Sequence, residues 1–435
     1  MNIQSLKKTR EQLLTIFTFA LDAVNGAKCV SRYLAQNRLP TDRIWVAAVG
    51  KAASSMMEGV IKHLKATGSE SRLAAGLVIY KQGYDAANSA HGANSNLTFF
   101  ESDHPVPSLR SLEAGRRLVE FVKKIPSTDT FLFLVSGGTS SLVEVLPDTE
   151  MEPENQIGEN QIQELVALNN FLLSNPWPID VINKVRQSVS CIKNGKLLDL
   201  VSTPYCIQLT ISDVANNDLS IIGSGLLAKG AEPLAEINID LPDWVKQMQA
   251  RCIDTDEKST SGQQHVEHKI IADNAKARQA ILDYAAAHDL TIIINETIEG
   301  ELATASERIT SSLVNGDAGL YVWGGETVVQ LPENPGKGGR CQSLALMIAE
   351  KIQQHENIVV LAIGTDGSDG PGDAAGALVD ARTIQRGLQL SLDSQQALLD
   401  ANAGYYLAET GDLIDTGPTG SNVMDLVIAV KLAPR

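Results

Sequence analysis

The sequence predicts an α/β protein of two domains, each built on a β-sheet flanked by helices, and three observations carry this. Short apolar runs alternate with amphipathic helical patterns along nearly the whole chain, the signature of a mostly parallel sheet covered by helices. A length of 435 residues allows about two or three domains, and 43% apolar residues suffices for more than one core. A polar stretch at 250–268, containing Asp254-Thr-Asp-Glu-Lys-Ser-Thr-Ser-Gly-Gln-Gln264, reads as a linker. It puts the boundary near residue 245, with domains at 1–245 and 246–435.

The elements follow in order. The first 24 residues, MNIQSLKKTREQLLTIFTFALDAV, carry an apolar face interrupted by charge, so they read as an amphipathic helix and not a signal peptide. Residues 44–49 form a short buried strand, followed by a helix over 52–65 and strands at 73–80 and 97–100. An amphipathic helix over 108–125 precedes a nearly all-apolar strand at 130–136. The acidic, aperiodic residues 148–159 read as an inserted surface loop. Helices over 161–174 and 179–189 lead to a strand at 205–212. Beyond the linker come a helix over 274–287, strands at 291–295, 320–323 and 358–363, a helix over 391–407, and a final strand at 427–432. No apolar run approaches the length of a membrane span.

A formal charge of −16 argues against a nucleic-acid surface, because no net cationic field exists to replace phosphate counterions. It also gives weight to each Lys or Arg found in a Gly-rich turn. Five scattered cysteines without a C-x-x-C fit reduced thiols in a cytosol better than a disulfide framework or a zinc site. The expectation is a soluble, cytoplasmic protein.

In sheets of this kind ligands collect outside the carboxyl ends of the strands, and every motif with chemistry in it follows an apolar run. Gly50-Lys51-Ala52 opens a helix after the first strand. A lysine at a helix N-terminus adds charge to an end already partly positive, which makes sense if an anion is bound there; the alternative is a solvated surface lysine. The turn is not a Walker A loop, since position 45 is Trp where that motif needs Gly. Ser136-Gly137-Gly138-Thr139-Ser140 repeats the order strand, Gly-Gly, hydroxyls, helix. Its amides can cradle phosphate, or its hydroxyls can simply cap the helix. Asp213, in Ser212-Asp213-Val214, ends a strand. There it can take the proton of an attacking hydroxyl, hold a metal, or close an Asx turn.

The second half supplies a matching set. Gly324-Gly-Glu326-Thr327 ends one strand, and Gly336-Lys-Gly338-Gly339-Arg340 opens a helix. The planar fork of Arg340 suits phosphate or carboxylate. Asp366 and Asp369 lie in a Gly-rich loop, and closely spaced carboxylates suit Mg²⁺ carried by a nucleotide. Phosphate-cradling turns, local cations and paired carboxylates together point to phosphoryl transfer. Other features carry less: Asp103-His104-Pro105-Val106-Pro107 reads as a rigid turn, and His265 and His268 have no further zinc ligands near in sequence. Neither a Gly-x-Ser-x-Gly elbow nor a Gly-x-Gly-x-x-Gly dinucleotide turn is present.

Taken in order, these blocks resemble the glycerate 2-kinase family, whose C-terminal part is the MOFRL domain. The resemblance runs through nearly the whole chain. It includes Val49-Gly50-Lys51-Ala52, His104-Pro-Val-Pro107, Ser136-Gly-Gly138, Val185-Arg186 with Ser190 and Lys193, and Ser212-Asp-Val214. It continues in Gly324-Gly-Glu-Thr327, Gly338-Gly-Arg-Cys-Gln342, Thr365-Asp-Gly-Ser-Asp-Gly370 and Thr416-Gly-Pro-Thr-Gly-Ser-Asn422. It implies a Rossmann-like N-terminal domain, a MOFRL-type α/β C-terminal domain, an active site in the cleft between them, and transfer of phosphate from ATP to the 2-hydroxyl of D-glycerate. The family's functional lysine, aspartate and arginine fall on Lys51, Asp213 and Arg340. Gly50, Ser136, Gly137, Gly138, Thr139, Ser140, Glu326, Gly338 and Gly339 are then expected to bind substrate or nucleotide, and Asp366 and Asp369 to hold Mg²⁺.

The chain departs from the family pattern in loops, with Asn194-Gly195, Gly225-Leu226-Leu227 and Cys341-Gln342-Ser343 in place of Gly-Gly, Gly-Pro-Thr and Asn-Gln-Glu. Two alternatives compete: a hydroxypyruvate reductase, disfavoured by the missing dinucleotide fingerprint, and a catalytically silent metabolite-binding protein, disfavoured by the retention of Lys51, Asp213 and Arg340. The expected partners are a small hydroxy acid and ATP, with neither nucleic acid nor membrane. Oligomeric state stays open, a homodimer included.

Overall fold

A computed structural model describes residues 3–84, 96–147, 159–175, 177, 179–230, 239–256 and 265–433. Helix α1 (Ile3–Val24) opens the chain with Leu13, Ile16 and Ala20 buried. The chain divides into two compact units, one formed by Gly26–Ile271 and the other by Met1–Asn25 together with Ala272–Arg435.

The unit Gly26–Ile271 contains α2 (Gly26–Gln36), β1 (Ile44–Val49), α3 (Ala53–Ala66), β2 (Leu73–Lys81), β3 (Leu97–Ser102), α4 (Leu109–Lys123) and β4 (Thr130–Val135). It continues with α5 (Thr139–Leu142), α6 (Glu159–Ser174), α7 (Ile179–Val189), β5 (Cys206–Ile211), α8 (Asp243–Asp256) and β6 (Val266–Ala272). The six strands form one sheet in the order β3-β2-β1-β4-β5-β6, and the pairings from β3 through β5 are all parallel. Every residue of β4 and of β5 is buried. That is why 131–135 reads as an unbroken apolar run: a strand covered on both faces needs no polar alternation. Val49, Ile79, Phe131, Phe133 and Leu142 belong to its core.

The other unit contains α9 (Asn274–Ala287), β7 (Ile292–Glu301), α10 (Leu302–Asn315), β8 (Gly319–Val328), α11 (Arg340–Lys351), β9 (Ile358–Gly364) and β10 (Gly376–Asp380). It ends with α12 (Thr383–Gln389), α13 (Ser394–Leu399), α14 (Ala403–Glu409), β11 (Leu413–Ile414) and β12 (Asp425–Lys431). Its sheet has the order β11-β10-β9-β12-β8-β7, in which only β7 and β8 pair in parallel. The expected mostly parallel sheet therefore holds from β3 to β5 of the first unit and gives way to a mixed sheet in the second. Strand β12 enters between β8 and β9, antiparallel to both. An apolar run announces a buried strand but carries no sign of its direction.

The expected boundary at 245 also shifts. Strand β6 completes the first sheet, so the division falls after Ile271. Helix α1 joins the second unit, where Arg10 Nη1 lies 2.7 Å from Asp380 Oδ2 and Arg10 Nη2 lies 3.1 Å from Asp412 Oδ1. The stretch expected as a linker is helical through Asp256, and its residues 257–264 lie outside the described residues, as does 148–158 of the expected surface loop. The single helix expected over 391–407 is α13 and α14, broken at Ala401 with φ +49°. All five cysteines are outside disulfides, although Cys191 and Cys252, 61 residues apart, bring their Sγ atoms to 3.6 Å. No single helix among the described residues is long and apolar enough to cross a membrane.

Candidate active site

Strands β1 and β4 are neighbours, yet the chain reaches β4 only after winding out through β2 and β3. The strand order reverses at that point, and a crevice at the carboxyl ends of the two strands is where open α/β sheets bind ligands. The residues there are Gly50-Lys51 after β1 and Ser136-Gly137-Gly138 after β4. Sheet register puts Val49 beside Val135, so the two turns leave the sheet at the same level.

The turns are stitched together. Lys51 N donates to Gly137 O at 2.9 Å, Ala52 N to Ser136 Oγ at 3.0 Å, and Ser136 N to Val49 O at 3.0 Å. Thr139 Oγ1 donates to Val49 O at 2.9 Å and Ser136 O at 2.7 Å. Ser136 and Thr139 are fully buried, so their hydroxyls build the turn and are spent inside it. What this loop can offer a ligand is backbone and the half-exposed Gly138 and Ser140. Ser140 Oγ already shares a 2.6 Å hydrogen bond with Ser224 Oγ.

Gly138 has φ +86°, a region open chiefly to glycine. A Cβ at that position would lie 3.2 Å from Lys51 Cγ and 3.1 Å from His104 Cδ2. The lysine stem and the histidine ring thus cover the same glycine, and a larger residue there would force one or both to give way by a few tenths of an ångström. In the sequence, the prolines flanking His104 mark a rigid turn and hide the histidine's surroundings. The turn is real, and it delivers the imidazole from the end of β3 onto the Gly-Gly loop; the signal that could have found it is that His104 also follows a strand.

Asp213 follows β5, which pairs in parallel with β4, and it is half-buried. The local turn beside it is closed by Ser212 Oγ, which accepts from Val214 N at 3.3 Å. A second turn is closed by Asp218, which accepts from Ser220 N at 2.8 Å. Lys51, the Gly137-Gly138 turn and Asp213 therefore all emerge at the carboxyl ends of three adjacent parallel strands.

The other unit gathers Glu326, Arg340, Asp366, Asp369 and Asp425. Gly325 of β8 and Gly364 of β9 both pair with Asp425, the first residue of β12, which sets that carboxylate between the ends of two strands. Arg340 opens α11; its Nη1 is ion-paired with Glu326 Oε1, and its Nη2 lies 3.5 Å from Asp425 Oδ2. Asp425 Oδ2 and Arg340 Nε are both buried without a hydrogen bond. Burial is the main cause that pushes the Asp425 carboxyl up to about 8; Arg340 opposes it, and the negative charges of Glu326, Asp369 and Asp366 add to it.

Asp369 has a different task from the one expected. Its Oδ1 accepts from Cys341 N at 3.1 Å and its Oδ2 from Gln342 N at 2.8 Å, so both oxygens satisfy the first amides of α11. Gly339 is required because a Cβ there would collide with this carboxylate. Asp369 therefore serves as the cap of α11, a role the sequence did not announce. Asp366 Oδ1 accepts from Ser368 N at 3.0 Å, and Ser368 Oγ stands 3.4 Å from each of its carboxylate oxygens. Among the described residues no three His, Cys, Asp or Glu side chains gather as a metal-ligand set.

Fold and site together define an α/β protein with two Gly-rich turns stitched together at the switch point of one sheet and a carboxylate-rich cluster around one arginine at the strand ends of the other. The comparisons with known proteins agree. Residues 12–241 match a family described as a domain of unknown function (DUF4147), and residues 319–425 match the MOFRL family. The D-glycerate 2-kinase of Thermotoga maritima is 30% identical over 445 residues, covering 98% of this chain and 99% of that protein. The glycerate 2-kinase of Pyrococcus horikoshii is 30% identical over 413 residues, covering 90% and 88%. The crystal structure of the Thermotoga maritima glycerate kinase superposes with a TM-score of 0.79 at 28% identity, over 98% of this chain and 100% of that one. The chain belongs to the glycerate 2-kinase family of phosphotransferases.

Proposed function

We propose that the protein uses ATP to phosphorylate the 2-hydroxyl of D-glycerate or a closely related small 2-hydroxy acid. The observation that carries the reading is the stitched pair of turns at the switch point, with Lys51 lying against Gly138. Backbone amides and an ammonium beside them can take up phosphate charge without a Walker loop. In this reading Lys51 neutralises charge on the transferring phosphoryl group. Asp213 accepts the proton of the attacking hydroxyl, and Arg340 stabilises phosphate charge. Positioning and charge neutralisation supply most of the rate in such reactions.

The cluster around Arg340 supports a nucleotide that arrives with its cation. One guanidinium stands among Glu326, Asp366, Asp369 and Asp425, so bare phosphate would meet net negative charge. Mg²⁺ on the nucleotide would remove that repulsion, and in this reading Asp366 meets it. The five thiols outside disulfides support action in a reducing compartment, the cytoplasm.

Three variants test the reading in an ADP-release assay with a panel of C3 and C4 hydroxy acids. Lys51→Ala, Asp213→Asn and Arg340→Ala should each lose roughly 10²–10⁴-fold in kcat/KM, the range for one positioned proton-transfer or charge-stabilising group. The Asp213→Asn loss should fall mainly on kcat. Activity within threefold of wild type in any of the three removes that residue from the mechanism. The reductase reading predicts micromolar NADPH binding; calorimetry that found it, with no binding of ATP, would overturn the kinase reading.

A further inference from the structure

A small pocket lies beside the Gly137-Gly138 turn, between α5, α6 and α7. Its walls include Ser140, Ser141, Asn169, Arg186, Leu168 and Leu172, with Glu144 and Lys193 on one side. The charges in it do not cancel. Lys193 Nζ is 2.6 Å from Glu144 Oε2 and also donates to Ser140 O at 2.9 Å, so these two charges neutralise each other. Arg186 is half-buried, and among the described residues no carboxylate lies within ion-pair distance of it. Among the described residues its one side-chain hydrogen bond is a long one, Nη2 to Asn169 Oδ1 at 3.5 Å. Burial pushes its guanidinium below the ordinary arginine value, and the charge of Glu144, already committed to Lys193, only partly offsets this.

A guanidinium half out of water beside an apolar wall of leucines is costly unless an anion is supplied. The pocket offers about 20 Å³ to the centres of water-sized spheres, enough for one end of a small anion and far too little for a nucleoside. We propose that Arg186 is the specificity-determining anchor for the carboxylate of the acceptor, gripping it in its planar fork, with Asn169 and the Ser140–Ser141 turn completing the subsite. The proposal rests on the kinase reading for the identity of the acceptor. It divides the anions of the reaction: phosphate charge at Lys51 and Arg340, acceptor carboxylate at Arg186. It also explains why a neutral polyol with the same hydroxyls would be rejected, since it would leave Arg186 unpaired.

The test measures D-glycerate and ATP binding by calorimetry, and KM for each, in wild type, Arg186→Gln, Arg186→Lys and Ser141→Asp. Arg186→Gln should weaken D-glycerate binding and raise its KM roughly 10–100-fold, the equivalent of one hydrogen-bonded charge, with ATP altered less than threefold. Arg186→Lys should recover part of the loss, because it restores charge without the fork. Ser141→Asp leaves Arg186 in place but gives it an internal carboxylate, so it should weaken D-glycerate in the same way even if the arginine variants fold poorly. Unchanged D-glycerate binding in Arg186→Gln and Ser141→Asp overturns the assignment, as does a loss confined to ATP, which would make the pocket a phosphate site. If wild type binds D-glycerate through Arg186 but transfers no phosphate, the kinase reading falls and the subsite stands. If it phosphorylates D-glycerate and the variants match it, the subsite falls alone.

Discussion

Lys193 Nζ lies 2.6 Å from Glu144 Oε2, with only 2% and 4% of the two side chains exposed. Ser190 Oγ donates to the other carboxylate oxygen at 2.5 Å, and Val145 N donates to it at 3.0 Å. This pair ties the segment after α7 to the end of α5. The carboxylate has hydrogen-bond or ion-pair partners on both oxygens.

Breaking such a pair from one side leaves a buried charge alone. Lys193→Met should cost about 3–5 kcal/mol in urea denaturation, whereas Lys193→Met combined with Glu144→Gln should recover most of it. A double variant as unstable as the single one would show that the pair's role is packing and not charge compensation.

Asp369 and Asp366 should separate cleanly. Asp369→Ala removes the acceptor for two α11 amides and should destabilise by about 1–2 kcal/mol. Asp369→Asn should leave the Mg²⁺ concentration for half-maximal activity unchanged, while Asp366→Asn raises it. The reverse pattern in a Mg²⁺ titration would return Asp369 to the metal.

Asp425 gives a pH signature. Its carboxyl ordinarily titrates near 3.8 and is pushed up to about 8 in the fold, so the folded state holds the proton more tightly than the unfolded one. Its contribution to stability is full below about pH 4 and is lost as pH rises toward 8. Asp425→Asn should therefore gain on wild type by up to about 1.4 kcal/mol per pH unit across that window. Parallel stability curves for the two proteins from pH 5 to pH 8 would contradict this.

Much of the first unit was legible because its elements obey local rules. Residues 131–135 are apolar throughout, and the helix starts after 49 and 136 follow Gly turns, so strand, turn and helix could be placed, and with them Lys51 and Gly138. Strand direction in the second sheet was not legible, since β12 would read the same in either orientation. The roles of Asp366 and Asp369 were not separable by spacing alone; only the α11 amides, brought in from residues 341 and 342, tell them apart. Arg10 could not be assigned to the second unit because its partners, Asp380 and Asp412, lie far along the chain. His104 and Arg186 were seen as motif letters without chemistry, because what each one faces comes from another part of the chain.

The central claim is phosphoryl transfer to the 2-hydroxyl of a small hydroxy acid, and phosphorus NMR of the purified protein with ATP, Mg²⁺ and D-glycerate tests it most directly. The account predicts ADP together with a new phosphomonoester on carbon 2 of glycerate, absent from Asp213→Asn under the same conditions. ATP left intact, or a phosphoester formed only on carbon 3, would contradict it.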